Sequence, residues 1–489
     1  MLIHIQHIKC LMKFLTEIHL TCKTSSFSSP SSKHFPFSTI SPPELNDPII
    51  TNSVSILKHH RSKSRWSHLR TTTPPTGFTP SQVSQITLQL RNSPHLAFRF
   101  FHFTLQHSLS DHTISTYATI IHVLSRSRHK FKAQEIIQAA FRKFPTQIKI
   151  HPIFETLVKT YRACDSAPFV FDLLVKACIE SKRVDQAVEI VRMLRCKNVY
   201  PSIGTCNDLI ELMVKSRGCF AAYDVYREIF RLGEEIVVRN RKVIPNANTF
   251  NAIMVGFYRE ALVEKVEEVW AEMERVECEP DAYSYSIVMA AYCDDGRMED
   301  AIKVWEGMES KGVRQDVVTY NTLIGGFCSV GEMERAEELF QNMVMSGLGS
   351  TCVSFEHLMK GYCKVGNVDS ALLLYKDMSN KGLKPESSSV DEFITLLCDK
   401  NEMLKALQYM RVARKKHDYN PSKKSYELVI EGLCAKGKVD DALKLQVDMV
   451  AQGYEPDSKI YDVFIHGYMV QGNQEMAQKL RRESFRSID

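Results

Sequence analysis

Asp316-Val-Val-Thr-Tyr-Asn-Thr-Leu-Ile-Gly-Gly-Phe-Cys328, followed by Gly331 and the run from Met333 to Met343, is the stretch that decides the fold. Val318, Tyr320, Leu323, Ile324 and Phe327 fall at helical spacing before Gly331, and Met333, Ala336, Leu339, Phe340 and Met343 do so after it. The segment therefore reads as two amphipathic helices joined at a glycine turn. Working outward, the same pattern returns. Alanine recurs at Ala301, Ala336, Ala371, Ala406, Ala442 and Ala477, in steps of 35, 35, 35, 36 and 35. Cysteine recurs at Cys293, Cys328, Cys363, Cys398 and Cys434, in steps of 35, 35, 35 and 36. Two residue types with one period and one shared slip mark the same physical brick.

Two further columns give its internal geometry. Gly296, Gly331, Gly366, Asn401, Gly437 and Gly472 occupy one position. A site that alternates between Gly and Asn is one that needs positive φ, as where a helix ends in a left-handed cap. Pro201, Pro245, Pro280, Pro385, Pro421 and Pro456 close the brick and are followed by Ser202, Asn246, Asp281, Glu386, Ser422 and Asp457, while Asp316 and Thr351 follow Gln315 and Ser350. Seven of these eight followers are good N-cap residues, so a new helix starts at each. The brick is cap, helix A of about 12 residues, turn, helix B of about 13 residues and a second turn. Neither helix buries its apolar face alone, so the bricks must stack into an all-α array of antiparallel helix pairs. The expected repeats are 168–202, 203–246, 247–281, 282–316, 317–351, 352–386, 387–422 and 423–457, with a truncated one at 458–489. The long repeat 203–246 carries an insertion near Glu234 to Val243, expected as a surface loop. Residues 76–167 read as an N-terminal helical cap with degenerate repeats, the stretch 149–167 resembling a truncated one.

Charge is unevenly spread. Residues 1–75 hold nine Lys or Arg against three acids, which is +6 of the chain's +5, so the other 414 residues carry −1. A basic balance in the folded part cannot be the argument for nucleic acid. The front segment is rich in Ser and Thr, poor in acids, and has no uninterrupted apolar run of the secretory kind. It reads as an organelle transit peptide, mitochondrial rather than chloroplast, or as a disordered tail. No run of 18 apolar residues offers a membrane span.

The quoted segment closely resembles the pentatricopeptide repeat consensus, strongly over about 290 residues and weakly over another 90. A tetratricopeptide array has a period of 34 and a different aromatic pattern in its first helix. The resemblance, to the P class of organellar proteins in plants, implies a right-handed superhelical solenoid that binds single-stranded RNA, one base per repeat. It implies that the fifth residue of helix A and the last residue of the repeat are the reading pair. The fifth residues here are Asp172, Asn207, Asn251, Ser286, Asn321, Glu356, Asp391, Glu427 and Asp462, all polar. On a solvent-facing side of the helix, amides and hydroxyls there can donate to and accept from a Watson–Crick edge. Carried over, Asn207 with Asn246 implies a pyrimidine, Asn251 with Asp281 U, Ser286 with Asp316 G, and Asn321 with Thr351 a pyrimidine. The outer pairs, Asp172 with Ser202, Glu356 with Glu386, Asp391 with Ser422 and Glu427 with Asp457, depart from the family's usual combinations. Their acids can accept from a base amino group but repel phosphates. The expected footprint is therefore 203–351. Lys215, Arg259 and Lys364 share one position near the end of helix A and are candidate phosphate contacts.

Other chemistry finds no support. Capping alone explains polar last residues, at about 1 kcal/mol each. The 14 cysteines include no Cys-x-x-Cys, and equivalent positions in stacked bricks lie about 10 Å apart, too far for a disulfide. The cysteine column reads as small buried residues in a reducing compartment. His7 and Cys10 lack a second ligand pair for zinc. The deaminase signature is absent, and Gly325 and Gly326 belong to a helix rather than to a phosphate loop. No catalytic residue, cofactor or metal is expected, and the chain is expected to be a monomer. The alternative to an RNA binder is a helical protein-binding scaffold for organelle RNA-maturation or ribosomal proteins.

Overall fold

The computed structural model describes residues 47–59, 66, 69, 74–144, 150–230, 243–417 and 419–486. His7, Cys10, most of the front segment and the insertion up to residue 242 lie outside the described residues. The chain divides into two compact units at the Glu279–Pro280 junction. All regular structure among the described residues is helical. The first unit contains α1 (Pro48–His59), α2 (Pro80–Gln89), α3 (Pro94–Gln106), α4 (Ile114–Arg126), α5 (Lys130–Lys143), α6 (His151–Thr160), α7 (Val170–Glu180), α8 (Val184–Cys196), α9 (Ile203–Arg217), α10 (Cys219–Phe230), α11 (Ala247–Arg259) and α12 (Val263–Arg275). The second contains α13 (Ala282–Asp294), α14 (Met298–Ser310), α15 (Val317–Val330), α16 (Met333–Met345), α17 (Cys352–Val365), α18 (Val368–Asn380), α19 (Ser387–Asp399), α20 (Met403–His417), α21 (Lys423–Ala435), α22 (Val439–Ala451), α23 (Ser458–Val470) and α24 (Gln474–Arg486).

Within the second unit each odd-numbered helix, helix A of its repeat, packs on its own helix B and on the next helix A. In the first unit α7 and α9 do the same and α11 packs on its own helix B, α12, whereas α6 is a single helix whose chain turns directly into α7. The described residues include a helix ahead of the expected boundary at residue 75. Helix α1 buries Ile50, Val54 and Leu57, and Trp66 and Leu69 are fully buried. The spacing of 50, 54 and 57 is helical, but the Ser- and Thr-rich composition around it hides the signal.

Each helix A starts where its cap dictates. Asn246, Asp281, Asp316 and Thr351 each accept from the backbone N–H three residues on, and the hydroxyl at that third position accepts in return from the cap's own N–H. Each helix ends in the expected left-handed turn, with Gly331 at φ 86° and Asn401 at φ 63°. Upstream, Arg128, Lys182 and Ala261 hold the same conformation at φ 55–56° without glycine, which is why glycine spacing alone does not find those repeats.

Stacking is tightest through small residues. The alanine column lies in the core, with Ala301, Ala336, Ala371, Ala406 and Ala442 fully buried. A glycine in helix A meets the cysteine of the preceding helix A. A Cβ on Gly326 would lie 2.5 Å from Cys293 Sγ, and one on Gly361 2.8 Å from Cys328 Cβ. Burial pushes the Cys293 and Cys328 thiols up to about 12, so they pack as small apolar groups. All described cysteines are free thiols. Gly326→Ala should therefore lower unfolding stability by about 1–3 kcal/mol, whereas Ala261→Gly, which relieves a left-handed L residue, should raise it by about 0.5–1 kcal/mol. Urea unfolding followed by helical circular dichroism reads both.

Candidate nucleic-acid interface

A helix N-terminus leaves its first N–H groups without partners, and that need assembles the site. In repeat 203–246, the last residue Asn246 caps α11, and Asn246 Oδ1 accepts Thr249 N–H at 3.2 Å. The same oxygen accepts Asn207 Nδ2–H at 3.0 Å. Thr249 Oγ1 accepts Asn246 N–H at 3.1 Å and donates to Asn207 Oδ1 at 2.7 Å. Repeat 317–351 repeats the arrangement. Asn321 Nδ2–H donates to Thr351 Oγ1 at 3.4 Å, and Ser354 Oγ donates to Asn321 Oδ1 at 2.7 Å. Fifth and last residues are thus neighbours because both serve the next helix's N-terminus.

That service changes the expected exposure. Asn207, Asn251, Ser286 and Asn321 are 7, 3, 2 and 8% exposed, not solvent-facing. Helical periodicity places them on one face, but at Asn207 and Asn321 the following cap lies over that face. Each bonded amide of Asn207 and Asn321 still has a second N–H and a second oxygen lone pair. Ser286 differs, because its hydroxyl donates to its own helix at Ala282 O, 2.8 Å away, and only its lone pairs remain. Asp316 is exposed and caps α15. Asn251 lies in α11 of the first unit, and Asp281 is the exposed cap of α13 in the second.

Acidic fifth residues bond the backbone instead. Asp172 Oδ1 accepts Ser202 N–H at 2.7 Å, and Glu356 Oε1 accepts Glu386 N–H at 2.7 Å. Asp391 Oδ1 accepts Ser422 N–H at 3.2 Å, Ser425 Oγ–H at 2.6 Å and the Tyr419 hydroxyl. A carboxylate is favourable beside a helix N-terminus, although burial raises the pKa of Asp172. Glu386 makes no side-chain cap bond of its own, and Glu356 takes the Glu386 N–H that the third-position hydroxyl takes at Asn246 and Asp316. The sequence reading missed the third-position hydroxyls. Their signal is the column Thr205, Thr249, Ser284, Thr319, Ser354, Ser389 and Ser425.

The candidate cations are engaged locally. Lys215 pairs with Glu211 at 3.6 Å, and Lys364 Nζ donates to Ser329 O at the end of α15. Arg259 lies half-buried in the last turn of α11. A groove of about 590 Å³ runs along the A helices of the second unit, lined by Lys360, Lys364 and Lys424 together with Glu356, Asp391, Glu392 and Asp399. Among the described residues no cluster of His, Cys, Asp and Glu could hold a metal ion. Because Asp391 satisfies three donors, Asp391→Ala should destabilise the second unit by about 2–3 kcal/mol, more than Asn321→Ala, as read from urea midpoints.

Sequence profiles described as PPR repeat and PPR repeat family match residues 245–294, 283–313, 311–344, 350–399 and 421–470. A pentatricopeptide repeat-containing protein of Arabidopsis thaliana is 51% identical over 241 residues, 48% of this chain and 48% of that relative. A second Arabidopsis protein of that description, named mitochondrial, is 25% identical over 182 residues, 37% of this chain and 26% of its own length. The chain thus spans about half or less of the length of these relatives. Among solved structures, a pentatricopeptide repeat protein from maize aligns at TM-score 0.37 and 17% identity, covering 88% of this chain and 72% of that one. The matched profiles and the period they share show that pentatricopeptide repeats lie between residues 245 and 470 of this chain.

Proposed function

We propose that the chain is a sequence-selective binder of single-stranded RNA, of P class, acting in organelle RNA processing, stability, splicing or translation by masking or remodelling RNA rather than by cleaving it. The observation that carries this reading is the junction of repeats. Asn207 and Asn321 lie within hydrogen-bond distance of Asn246 and Thr351, and each amide retains one donor and one acceptor. Taking the repeat frame 168–457 as eight bricks, residues 203–351 read 5′-pyrimidine-U-G-pyrimidine-3′, with Lys215, Arg259 and Lys364 against phosphates. The outer repeats contribute least, because their fifth carboxylates are committed to the next helix's backbone. The acid-poor front segment and the relatives named mitochondrial support a mitochondrial setting. A second reading, a scaffold for a basic protein partner, is favoured only by the carboxylates of the 352–425 groove.

Titrating the purified chain with RNAs containing the four-base target, against scrambled RNAs and over a salt series, separates the two. RNA reading predicts selective binding that weakens with salt, by a slope of about 0.7 per phosphate contact in the double-logarithmic plot. A scaffold predicts no selectivity. Replacing Asn251 and Asp281 together should change preference at one base by about 1–3 kcal/mol. An equal loss on all RNAs would count against base reading there.

A further inference from the structure

An asparagine amide discriminates between bases only if its oxygen and nitrogen are held in place. A half-turn about the last side-chain bond exchanges donor for acceptor and changes the base it fits. We propose that Thr249 and Ser354, third residues of the following A helices, are positioning residues that set the specificity of the preceding repeats by locking the amides of Asn207 and Asn321. This rests on the RNA reading above.

The lock follows from helix capping. Asn246 must turn its oxygen toward Thr249 N–H, 3.2 Å away, because a nitrogen there would leave two donors face to face. That oxygen then attracts the NH₂ group of Asn207, at 3.0 Å. Thr249 Oγ1 already accepts from Asn246 N–H, and its single proton has Asn207 Oδ1 at 2.7 Å as the nearer acceptor and Asn246 Oδ1 at 3.0 Å as the farther one. Flipping Asn207 would set its oxygen against the Asn246 oxygen and replace the nearer acceptor of the Thr249 hydroxyl with an NH₂ group, leaving only the 3.0 Å contact to Asn246 Oδ1. In repeat 317–351 the cap is a hydroxyl, Thr351, which can donate or accept and so constrains Asn321 less. There the 2.7 Å bond from Ser354 Oγ carries more of the lock.

The chain contains its own control. Thr319 forms the same reciprocal cap with Asp316, each bond 2.9 Å. Its hydroxyl donates to Asp316 O at 2.8 Å, not to the fifth residue Ser286, whose hydroxyl bonds Ala282 O. Losing Thr319 removes a cap without releasing an amide.

The test uses the full chain and two sets of RNAs, each varying all four bases, at the first or the fourth nucleotide of the target. The proposal expects Thr249→Val to compress the spread between best and worst base by about five- to tenfold at the first nucleotide and to leave the fourth within about twofold. Ser354→Ala should do the reverse, with the larger compression. Thr249→Ser, which keeps the hydroxyl, should behave as wild type, and Thr319→Val should leave both spreads unchanged. Wild-type preference retained in both Thr249→Val and Ser354→Ala overturns the proposal. So does a Thr319→Val variant that flattens both positions, since the effect would then come from lost capping. A wild-type chain with no preference at either nucleotide overturns the RNA reading itself, a result distinguishable from a selective wild type with equally selective variants.

Discussion

The unsatisfied N–H groups at the start of each A helix are the constraint on which the rest depends. An orphan donor at a buried junction costs about 1–3 kcal/mol, so the central repeats end in an acceptor, whereas Glu386 makes no side-chain cap bond. The last residue supplies it, the third residue of the new helix returns a bond, and the fifth residue of the preceding helix is drawn into the same cluster. One local requirement thus places three side chains from two repeats within hydrogen-bond distance. The candidate reading pair is a by-product of making helices stack.

The same junction separates two kinds of repeat. At Asn207 and Asn321 the fifth residue bonds the side chains of the cap and the third residue and keeps half of its amide unused. Where it is Asp or Glu, it takes the backbone N–H of the next helix directly, as Asp172, Glu356 and Asp391 do. The first arrangement leaves hydrogen-bonding capacity for a ligand, and the second spends the carboxylate on joining neighbours. The division sets Asn207 and Asn321 apart from the acidic outer repeats, while Ser286, bonded to its own helix at Ala282 O, belongs to neither kind.

Much of the fold was legible because it is periodic. Alanine, cysteine, glycine and proline columns each report a separate demand, close approach, small volume, positive φ or helix termination, and they agree on one brick. What stayed hidden depends on contacts between bricks. Polarity at Asn207 or Asn321 says which helix face the residue occupies, not that the next cap covers it to 7–8% exposure. The seating of Gly326 on Cys293 links residues 33 apart, and no spacing rule for a single helix shows that they touch. Positive φ at Lys182 and Ala261 was illegible because nothing in those residue types asks for it. The buried start at α1 was masked by a composition that resembles a targeting segment.

The central claim is that bases meet the chain at the repeat junctions along the A helices of residues 203–351. Photo-crosslinking a short RNA carrying a single 4-thiouridine at the second target position, with the adduct mapped by peptide mass spectrometry, tests this most directly. The account predicts adducts on the first turns of α11 or α13, beside Asn251 and Asp281. Adducts confined to the B helices, or spread evenly over the lysines of the surface, would contradict it.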